Sequence, residues 1–349
     1  MTLRRSLLVL ALFGAIAAGL FVGSARGKLW RSSEERCLGV VQEMVRSGDW
    51  LVPRLDGQPR LQKPPLFYWA GAAAVELTGA PTLSALRWLS GVIALVLAAA
   101  VFAAGHSLGG FPAALASTAA LGASALLYAQ GRVGDAEMLL TLLVFAALAA
   151  FETLWRTRDR RLLPVLAALV GLAFLTKATA GLVDVFAPIG AWLALQRALR
   201  LALRPAVLAW GLLALAISLS WYALMLWRVP DALGMFREYL IGPLGVHAAG
   251  RDATHLRPFL YYWPRFPLQS AATGLLLPWL LWEAWRSRGF ARDPRARFLA
   301  LSLVALLVAW SFVPSKQMHY LLPMVPLQAL LVAKLGVERW QAIRARSAS

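Results

Sequence analysis

The 349-residue sequence has only one cysteine, Cys37, and only 15% of its residues are charged. A single cysteine excludes an intramolecular disulfide and a cysteine-rich metal site. Soluble domains are about 25% charged and about 45–50% apolar, whereas 60% of this chain is hydrophobic. The apolar residues lack the three-residue repeat of collagen and the seven-residue repeat of a coiled coil, so neither class fits. The composition indicates a membrane protein.

Long uncharged runs make up most of the chain. A bilayer core is about 30 Å thick, so about 18 apolar residues in a row can cross it as a helix. Fifteen Trp and fifteen Phe are typical of aromatic belts at the membrane surfaces. The pattern predicts about ten spans, near residues 6–22, 88–105, 111–129, 138–155, 162–176, 181–196, 206–227, 267–285, 298–313 and 320–337. The predicted fold is all-α: one polytopic transmembrane bundle over residues 1–349, without a soluble C-terminal domain.

Basic residues outnumber acidic ones, 35 to 17, and give a net charge of +18. Such a balance indicates nucleic acid in a soluble chain, but no zinc signature or soluble domain supports that partner here. Basic residues in short cytoplasmic loops orient membrane spans instead, and Arg4-Arg5 predicts a cytoplasmic N-terminus. The first run also resembles a secretory signal peptide with a cleavage site at Gly23-Ser24-Ala25. We favour a signal anchor, because the run is long.

Threading ten spans from a cytoplasmic N-terminus places two polar segments on the outer face. Residues 26–86 mix charges, proline and glycine with short amphipathic stretches such as 66–77. They are predicted to be a first periplasmic loop with juxtamembrane helices. Residues 228–265 are predicted to be a second large periplasmic loop.

Two residues near the outer surface are candidates for chemistry. Lys63 precedes Pro64-Pro65, which fix the backbone and hold the lysine at the start of the next helix. It suits a lipid phosphate, or else it is a snorkelling anchor of an amphipathic helix. Asp135 lies at the outer end of a span, where an ionisable group is a functional candidate. The alternative is that Asp135 caps the following helix.

Three further groups fall on the same face. Lys177 can meet anionic membrane lipid or cap the end of a helix. His255 lies beside Arg257 and can contact a metal or a phosphate, although a lone histidine is weak evidence for a metal. Lys316 and His319 precede the last predicted span. The location of all these residues at one membrane surface predicts a site there.

Several strings resemble those of a known family. The first-loop strings Glu34-x-Arg36, Ser47-Gly48-Asp49-Trp50-Leu51-Val52-Pro53 and Lys63-Pro64-Pro65-Leu66-Phe67-Tyr68-Trp69 resemble bacterial lipid-linked sugar transferases. These are the aminoarabinose transferase-like and protein O-mannosyltransferase-like enzymes of the GT-C superfamily. Later motifs match in the same order, at Gly171–Lys177, His255-x-x-Pro258 and Ser315–Pro323. The resemblance runs from about residue 1 to 337.

The resemblance implies a glycosyltransferase of the bacterial inner membrane. Such an enzyme moves a sugar, with inversion, from a polyprenyl-phosphate donor to a lipid, glycan or protein acceptor on the periplasmic face, as in the modification of lipid A or another envelope glycan. A carboxylate acts as general base and cations stabilise the departing phosphate. By position, the resemblance implies Arg36 and Lys63 as ligands of the donor phosphate and Asp135 as a residue that helps to place the donor or the acceptor. It implies His255 as a contact to phosphate or to a divalent metal ion, and Lys177 and Lys316 as further candidates for the phosphate.

Two positions depart from the family pattern. The acidic pair of the first loop falls on Ser33-Glu34, so a serine stands where the resemblance implies the aspartate that acts as base. The acidic residue before Lys63 is Gln62, which removes a metal ligand. Loss of a positioned acid–base group typically costs about 10²–10⁴ in rate. Either Glu34 or Asp135 takes over as base, or the chain is a degenerate relative that binds lipid-linked saccharide or partners an active transferase. A transporter is a third reading, but Asp184 is nearly alone as an ionisable residue within the spans.

Overall fold

Thirteen α-helices and one short β-hairpin form the part of the chain that the structure describes. The computed structural model describes residues 3–24, 29, 31–241, 256–269, 271–286 and 293–347. The helices are α1 (Leu3–Phe21), α2 (Ser32–Ser47), α3 (Leu66–Thr78), α4 (Thr82–Gly122), α5 (Ala125–Gly131), α6 (Glu137–Thr157), α7 (Leu162–Leu195), α8 (Pro205–Arg228), α9 (Ala232–Ile241), α10 (Tyr262–Gln269), α11 (Ala271–Arg286), α12 (Pro294–Phe312) and α13 (Met324–Ser347). The hairpin pairs β1 (Arg54–Leu55) with β2 (Gln58–Pro59) in antiparallel orientation. The prediction of an all-α fold is confirmed.

The longest helix, α4, reverses direction within its length. Its backbone leaves the helical region at Gly109 and Gly110, and Gly110 has a φ of 69°. A Cβ atom placed on Gly105 would lie 2.9 Å from the carbonyl oxygen of Ala113, although residues eight apart in a straight helix are separated by about 12 Å. α4 is therefore a helical hairpin. Glycine serves the turn because it adopts a left-handed backbone without strain.

A second helical hairpin is formed by α7. The backbone departs from the helix at Lys177 and Ala178, where Ala178 has a φ of 39°. Gly181 then lies so close to the carbonyl group of Ala173 that no side chain would fit between the two arms. The reversal places Lys177 at the tip of the hairpin.

Six helices are long and apolar enough to cross a membrane: α1, α4, α6, α7, α8 and α12. Four of them are single helices and two are hairpins of two arms each, which gives eight apolar arms in the described chain. The reversals fall where the sequence predicts boundaries between neighbouring spans, near 105–111 and 176–181. The chain is thus a polytopic membrane protein, and the number of ten spans stays a prediction.

Close helix contacts hold the bundle together. α13 packs along α4, α6 packs along α7, and α7 packs along α8. Where α7 meets α8, a Cβ atom on Gly171 would come within 2.7 Å of the Ile217 side chain. Small residues at such crossings let two backbones approach, which matters because lipid supplies little hydrophobic driving force between helices.

The segment between α1 and α4 is folded into α2, the β-hairpin and α3, as the sequence predicts for juxtamembrane helices. α2 ends at Gly48, which has a φ of 71° and donates its backbone N–H to the Met44 carbonyl at 3.0 Å. The Asp49 carboxylate then accepts hydrogen bonds from the backbone N–H groups of Leu51 at 3.1 Å and Val52 at 3.2 Å. These contacts end the helix and turn the chain towards the hairpin.

Two tryptophans fasten this turn to the bundle. Nε1 of Trp69, on α3, donates to the Trp50 carbonyl at 2.6 Å, and Nε1 of Trp221, on α8, donates to the Leu51 carbonyl at 3.0 Å. Each indole thereby satisfies its own donor and one loop carbonyl. The motif at residues 47–53 is therefore a scaffold that docks the first loop on α3 and α8.

A fully buried ion pair joins α2 to α4. Arg87 Nε donates to Glu34 Oε1 at 2.7 Å and Arg87 Nη2 donates to Glu34 Oε2 at 2.9 Å. Arg87 Nη1 donates to the Ser24 carbonyl at 2.9 Å, and Glu34 Oε1 also accepts the Gly134 N–H at 3.0 Å. This bidentate pair connects α2, α4, the residues after α1 and the residues before α6.

A second arginine ties the end of α1 to the same region. Arg132 follows α5 and donates from Nη1 to the Gly19 carbonyl at 2.9 Å and from Nη2 to the Val22 carbonyl at 2.9 Å. The last carbonyls of a helix have no partner within it. Arg132 therefore completes the C-terminal end of α1.

Arg87→Met is expected to lower the free energy of unfolding by about 3–5 kcal/mol, because it leaves the Glu34 carboxylate buried without a countercharge. Unfolding in detergent micelles measures this. Arg156→Met is the matched control, since Arg156 is half exposed in a surface pair with Glu152, and such pairs contribute about 0–1 kcal/mol. Equal stability of the two variants would contradict the role given to Arg87.

Candidate active site

Asp135 lies in the short segment between α5 and α6 and is 2% exposed. Ser33 Oγ, on α2, donates to Asp135 Oδ2 at 3.3 Å, and the Glu137 N–H donates to Asp135 Oδ1 at 3.1 Å. The N-cap residue of α6 is Ala136, and the helix has no side-chain cap, so Asp135 lies one residue before the N-cap position that the sequence offers as its alternative role. No cation in the described residues lies within ion-pair distance of this carboxylate.

Glu137, two residues later, is held by two partners from other parts of the chain. Lys177 Nζ, at the tip of the α7 hairpin, lies 2.5 Å from Glu137 Oε1. His319 Nε2, in the short turn before α13, lies 3.5 Å from the same oxygen. Burial lowers the pKa of His319 to about 3, although the charge of Glu137 opposes the shift. The imidazole is therefore neutral at pH 7 beside the Glu137 carboxylate.

The electrostatic surroundings of Asp135 favour its protonated form. Burial raises the pKa of the Asp135 carboxyl group, and the negative charge of Glu137 raises it further. The positive charges of Lys63 and Lys177 oppose this shift without cancelling it. Asp135 is thus more basic than an ordinary aspartate, which is the property a general base needs near neutral pH.

Lys63 faces this pair of carboxylates from the first loop. It follows β2 and precedes two buried prolines, Pro64 and Pro65, and Pro65 stands at the N-terminal end of α3. The fixed φ angles of the prolines hold the backbone of the lysine in place. Lys63 is partly exposed and has no hydrogen-bond or ion-pair partner among the described residues. Its ammonium group is therefore available to a ligand.

A cavity of about 440 Å³ opens beside the cluster. Its wall includes three cations, Arg31, Arg257 and Lys316, and no carboxylate among the described residues. His319 also lines it, and because His319 contacts Glu137, the cavity adjoins the acidic pair. Three cations without a countercharge on the wall favour an anionic ligand such as a phosphate.

The structure brings three of the predicted site residues together: Asp135, Lys63 and Lys177 interact electrostatically. Lys316 lies on the wall of the adjoining cavity, where its Nζ donates to the Val313 carbonyl at 2.5 Å. These four positions come from different parts of the chain, and their convergence is a property of the fold.

The other predicted site residues are placed differently. Glu34, the residue after Ser33 on α2, is fully buried, and its carboxylate accepts hydrogen bonds from Arg87 and from the Gly134 N–H. Arg36 is partly exposed one helical turn after Ser33, and its role as a phosphate ligand stays a prediction. His255 lies outside the described residues.

Sequence reasoning missed Glu137 as a site residue and gave no role to His319 or Arg31. The spacing Asp135-x-Glu137 could have indicated Glu137, since two carboxylates two residues apart at the start of a helix can share one environment. His319 stands three residues after Lys316, within the motif at Ser315–Pro323. No sequence pattern indicated a role for Arg31, because only the folded chain brings its side chain to the cavity.

The described residues do not fit a divalent metal ion. They contain no group of three His, Cys, Asp or Glu side chains that could hold one. Gln62, which stands where the resemblance implies an acidic ligand, accepts a hydrogen bond from Arg60 through its amide oxygen. His255, the predicted metal contact, lies outside the described residues, so a divalent metal ion stays a prediction.

Comparisons with known proteins identify similar sequences and structures. A family model described as dolichyl-phosphate-mannose-protein mannosyltransferase matches residues 62–223. The chain is 32% identical over 330 residues to undecaprenyl phosphate-alpha-4-amino-4-deoxy-L-arabinose arabinosyl transferase 1 of Sodalis glossinidius, and 31% identical over 339 residues to the corresponding transferase of Pseudomonas aeruginosa. The alignments cover 91% and 93% of this chain but 57% and 59% of the relatives. The chain therefore spans less than two thirds of their length.

Two solved structures share the fold. The crystal structure of ArnT from Cupriavidus metallidurans bound to undecaprenyl phosphate superposes with a TM-score of 0.78 at 22% identity, covering 95% of this chain and 59% of that one. The archaeal oligosaccharyltransferase AglB from Archaeoglobus fulgidus, in complex with an inhibitory peptide and a dolichol-phosphate, superposes with a TM-score of 0.59 at 11% identity, covering 99% and 51%.

Gly134→Ala is expected to destabilise the protein by about 1–3 kcal/mol through overpacking. Its new Cβ atom would lie 2.6 Å from Leu86 Cβ and push the segment that carries Asp135 away from α4. Thermal unfolding in detergent measures the effect. Gly190→Ala is the matched control: nothing lies near its Cβ position, so alanine should stabilise α7 by about 0.5–1 kcal/mol. A Gly134→Ala variant that behaves like this control would argue against the tight packing.

Proposed function

This chain belongs to the GT-C superfamily of lipid-linked glycosyltransferases, and we propose that it transfers a sugar from a polyprenyl-phosphate donor to a lipid, glycan or protein acceptor. The site faces the periplasm of a bacterial inner membrane in this proposal. The observation that carries it is a basic carboxylate, Asp135, beside a free lysine, Lys63, and a cavity walled by cations. The names of the curated relatives, which specify undecaprenyl phosphate-linked aminoarabinose, support this class of donor.

Asp135 is the proposed general base. Its carboxylate takes the proton from the acceptor hydroxyl or other O–H group as the oxygen attacks the anomeric carbon of the sugar. The new carbon–oxygen bond forms while the bond from that carbon to the phosphate oxygen breaks, and the lipid phosphate leaves with the bonding electrons. Glu34 and Glu137 are less suited, because each carboxylate is already committed to a cation.

Cations stabilise the leaving phosphate in this proposal. Charge develops on the phosphate as the bond breaks, and preorganised donors aimed at such charge lower the barrier. Lys63 is the first candidate because its ammonium has no partner among the described residues. Arg31, Arg257 and Lys316 on the cavity wall extend the positive field.

The serine at position 33 favours a second candidate function, in which the chain binds lipid-linked saccharide without transferring the sugar. A serine stands where the resemblance implies an acidic residue, and its hydroxyl contacts Asp135 rather than replacing a base. Turnover by the wild-type protein separates the two functions. The binding-only protein would retain a labelled donor and yield no product.

Asp135→Asn is expected to reduce transfer by about 10²–10⁴, since it removes the general base. The assay supplies purified protein in nanodiscs with labelled polyprenyl-phosphate sugars and with lipid, glycan and protein acceptor fractions.

Because the pKa of Asp135 is raised, activity should increase with pH through a range above the usual aspartate pKa of about 4. Ser33→Ala should move this rise to higher pH. In the wild type, the hydrogen bond from Ser33 stabilises the ionised Asp135 carboxylate, and the variant lacks it.

The control for this series is Asp56→Asn, which changes an exposed aspartate in the tip of the β-hairpin. It should keep wild-type turnover and the wild-type pH profile. Equal turnover of Asp135→Asn and Asp56→Asn would exclude Asp135 as the base.

Lys63→Met is expected to raise the KM for the donor by roughly 10- to 100-fold, the equivalent of one charge-assisted hydrogen bond. Steady-state kinetics in the same assay measure it. Arg54→Met, which removes a cation from the same loop, should leave KM unchanged. If Lys63→Met instead lowers protein abundance while KM stays constant, the lysine is a structural anchor.

A further inference from the structure

Asp184 is a carboxylic acid within the membrane-crossing part of α7, and the proposed transfer reaction does not use it. It is 1% exposed. Trp310 Nε1, near the end of α12, donates to Asp184 Oδ1 at 2.7 Å. Ionisable groups inside the membrane are costly to maintain, so such a residue is a candidate for function by default.

A continuous series of contacts leads from Asp184 to the candidate active site. The rings of Trp310 and Tyr320 lie 4.8 Å apart between centroids, at an angle of 32°. Lys177 Nζ lies 4.6 Å from the centroid of the Tyr320 ring, within cation–π distance. The same ammonium lies 2.5 Å from Glu137 Oε1. Every step is a direct contact between neighbouring groups.

We propose that Asp184 is a positioning residue, which holds Trp310 and Tyr320 as the support that keeps the Lys177 ammonium against Glu137. The need for a support follows from the backbone. Lys177 stands at the tip of a helical hairpin and projects a flexible four-carbon chain, whose end has many positions open to it. The aromatic face restricts those positions, and the Asp184 hydrogen bond fixes the indole behind that face.

The position of Lys177 matters for Asp135 if the chain is the proposed transferase. The charged and titratable groups that face Asp135 are Glu137, Lys63, Lys177 and the Cys37 thiol. Those that face Glu137 are Lys177, His319, Lys63, Asp135 and Asp184. When Lys177 leaves its position, the charge of Glu137 acts on Asp135 with less opposition. Asp135 then ionises at higher pH.

The test measures the reactivity of Lys177 directly. The full chain in detergent is treated with a small amine-acetylating reagent, and peptide mass spectrometry gives the extent of labelling of Lys177 relative to Lys334, which has its own ion pairs with Asp293 and Glu338. Asp184→Leu is expected to raise this ratio severalfold. Asp184→Asn should leave it at the wild-type value, because its amide oxygen still accepts the indole N–H.

Tyr320→Leu removes the support itself and gives the ratio expected for a released lysine. If Tyr320→Leu raises the ratio and Asp184→Leu does not, the assignment of Asp184 is overturned. A parallel rise in Lys334 labelling also overturns it, because that result means general loosening of the fold. If Asp184→Leu does not accumulate in membranes, Trp310→Phe removes the same hydrogen bond. A raised Lys177 labelling ratio in this variant then supports the assignment, and an unchanged ratio overturns it.

The labelling requires no turnover, so it decides the positioning role even if the chain transfers no sugar. Where transfer is measured, Asp184→Leu should also shift the rise of activity to higher pH, while Asp184→Asn keeps the wild-type profile. A turnover assay that fails for the wild-type protein refutes the proposed function alone.

Discussion

The contact between Arg87 and Glu34 is sealed from water, so every donor and lone pair that the two side chains do not share must find a partner in the protein. The Ser24 carbonyl and the Gly134 N–H are among those partners. Four segments distant in sequence are thereby fixed around two side chains. The same arrangement fixes the position of Ser33. Because Glu34 on α2 bonds to Gly134, the residue before Glu34, Ser33, faces the residue after Gly134, Asp135.

Two carboxylates separated by one residue receive different environments from the same fold. Glu137 points to the tip of the α7 hairpin and is neutralised by a lysine, whereas Asp135 points to α2 and meets a hydroxyl group. Pairs of acids whose surroundings divide their roles recur in enzymes. Here the division depends on where α7 reverses, since that turn brings Lys177 to Glu137 and not to Asp135.

Much of the architecture could be predicted from the sequence because a bilayer imposes length and apolarity on each span. The reversals near Gly109 and Lys177 were visible as breaks between apolar runs, and the first-loop helices as amphipathic stretches. The partner of Glu34 was not visible. Arg87 lies 53 residues away, at the edge of an apolar run, and only packing shows which carboxylate it neutralises. The same limit hid Glu137, whose position at a helix start is equally well explained by local capping.

The first helix contributes more than hydrophobic surface to this arrangement. Its last carbonyls, with that of Ser24, are the acceptors for Arg132 and Arg87. Proteolytic processing at Gly23-Ser24-Ala25 would remove all three acceptors at once, so Arg132 would lose both carbonyl partners and Arg87 would lose one, while keeping its pair with Glu34. A form that begins after Ala25 would therefore lack these three hydrogen bonds together with its first membrane segment.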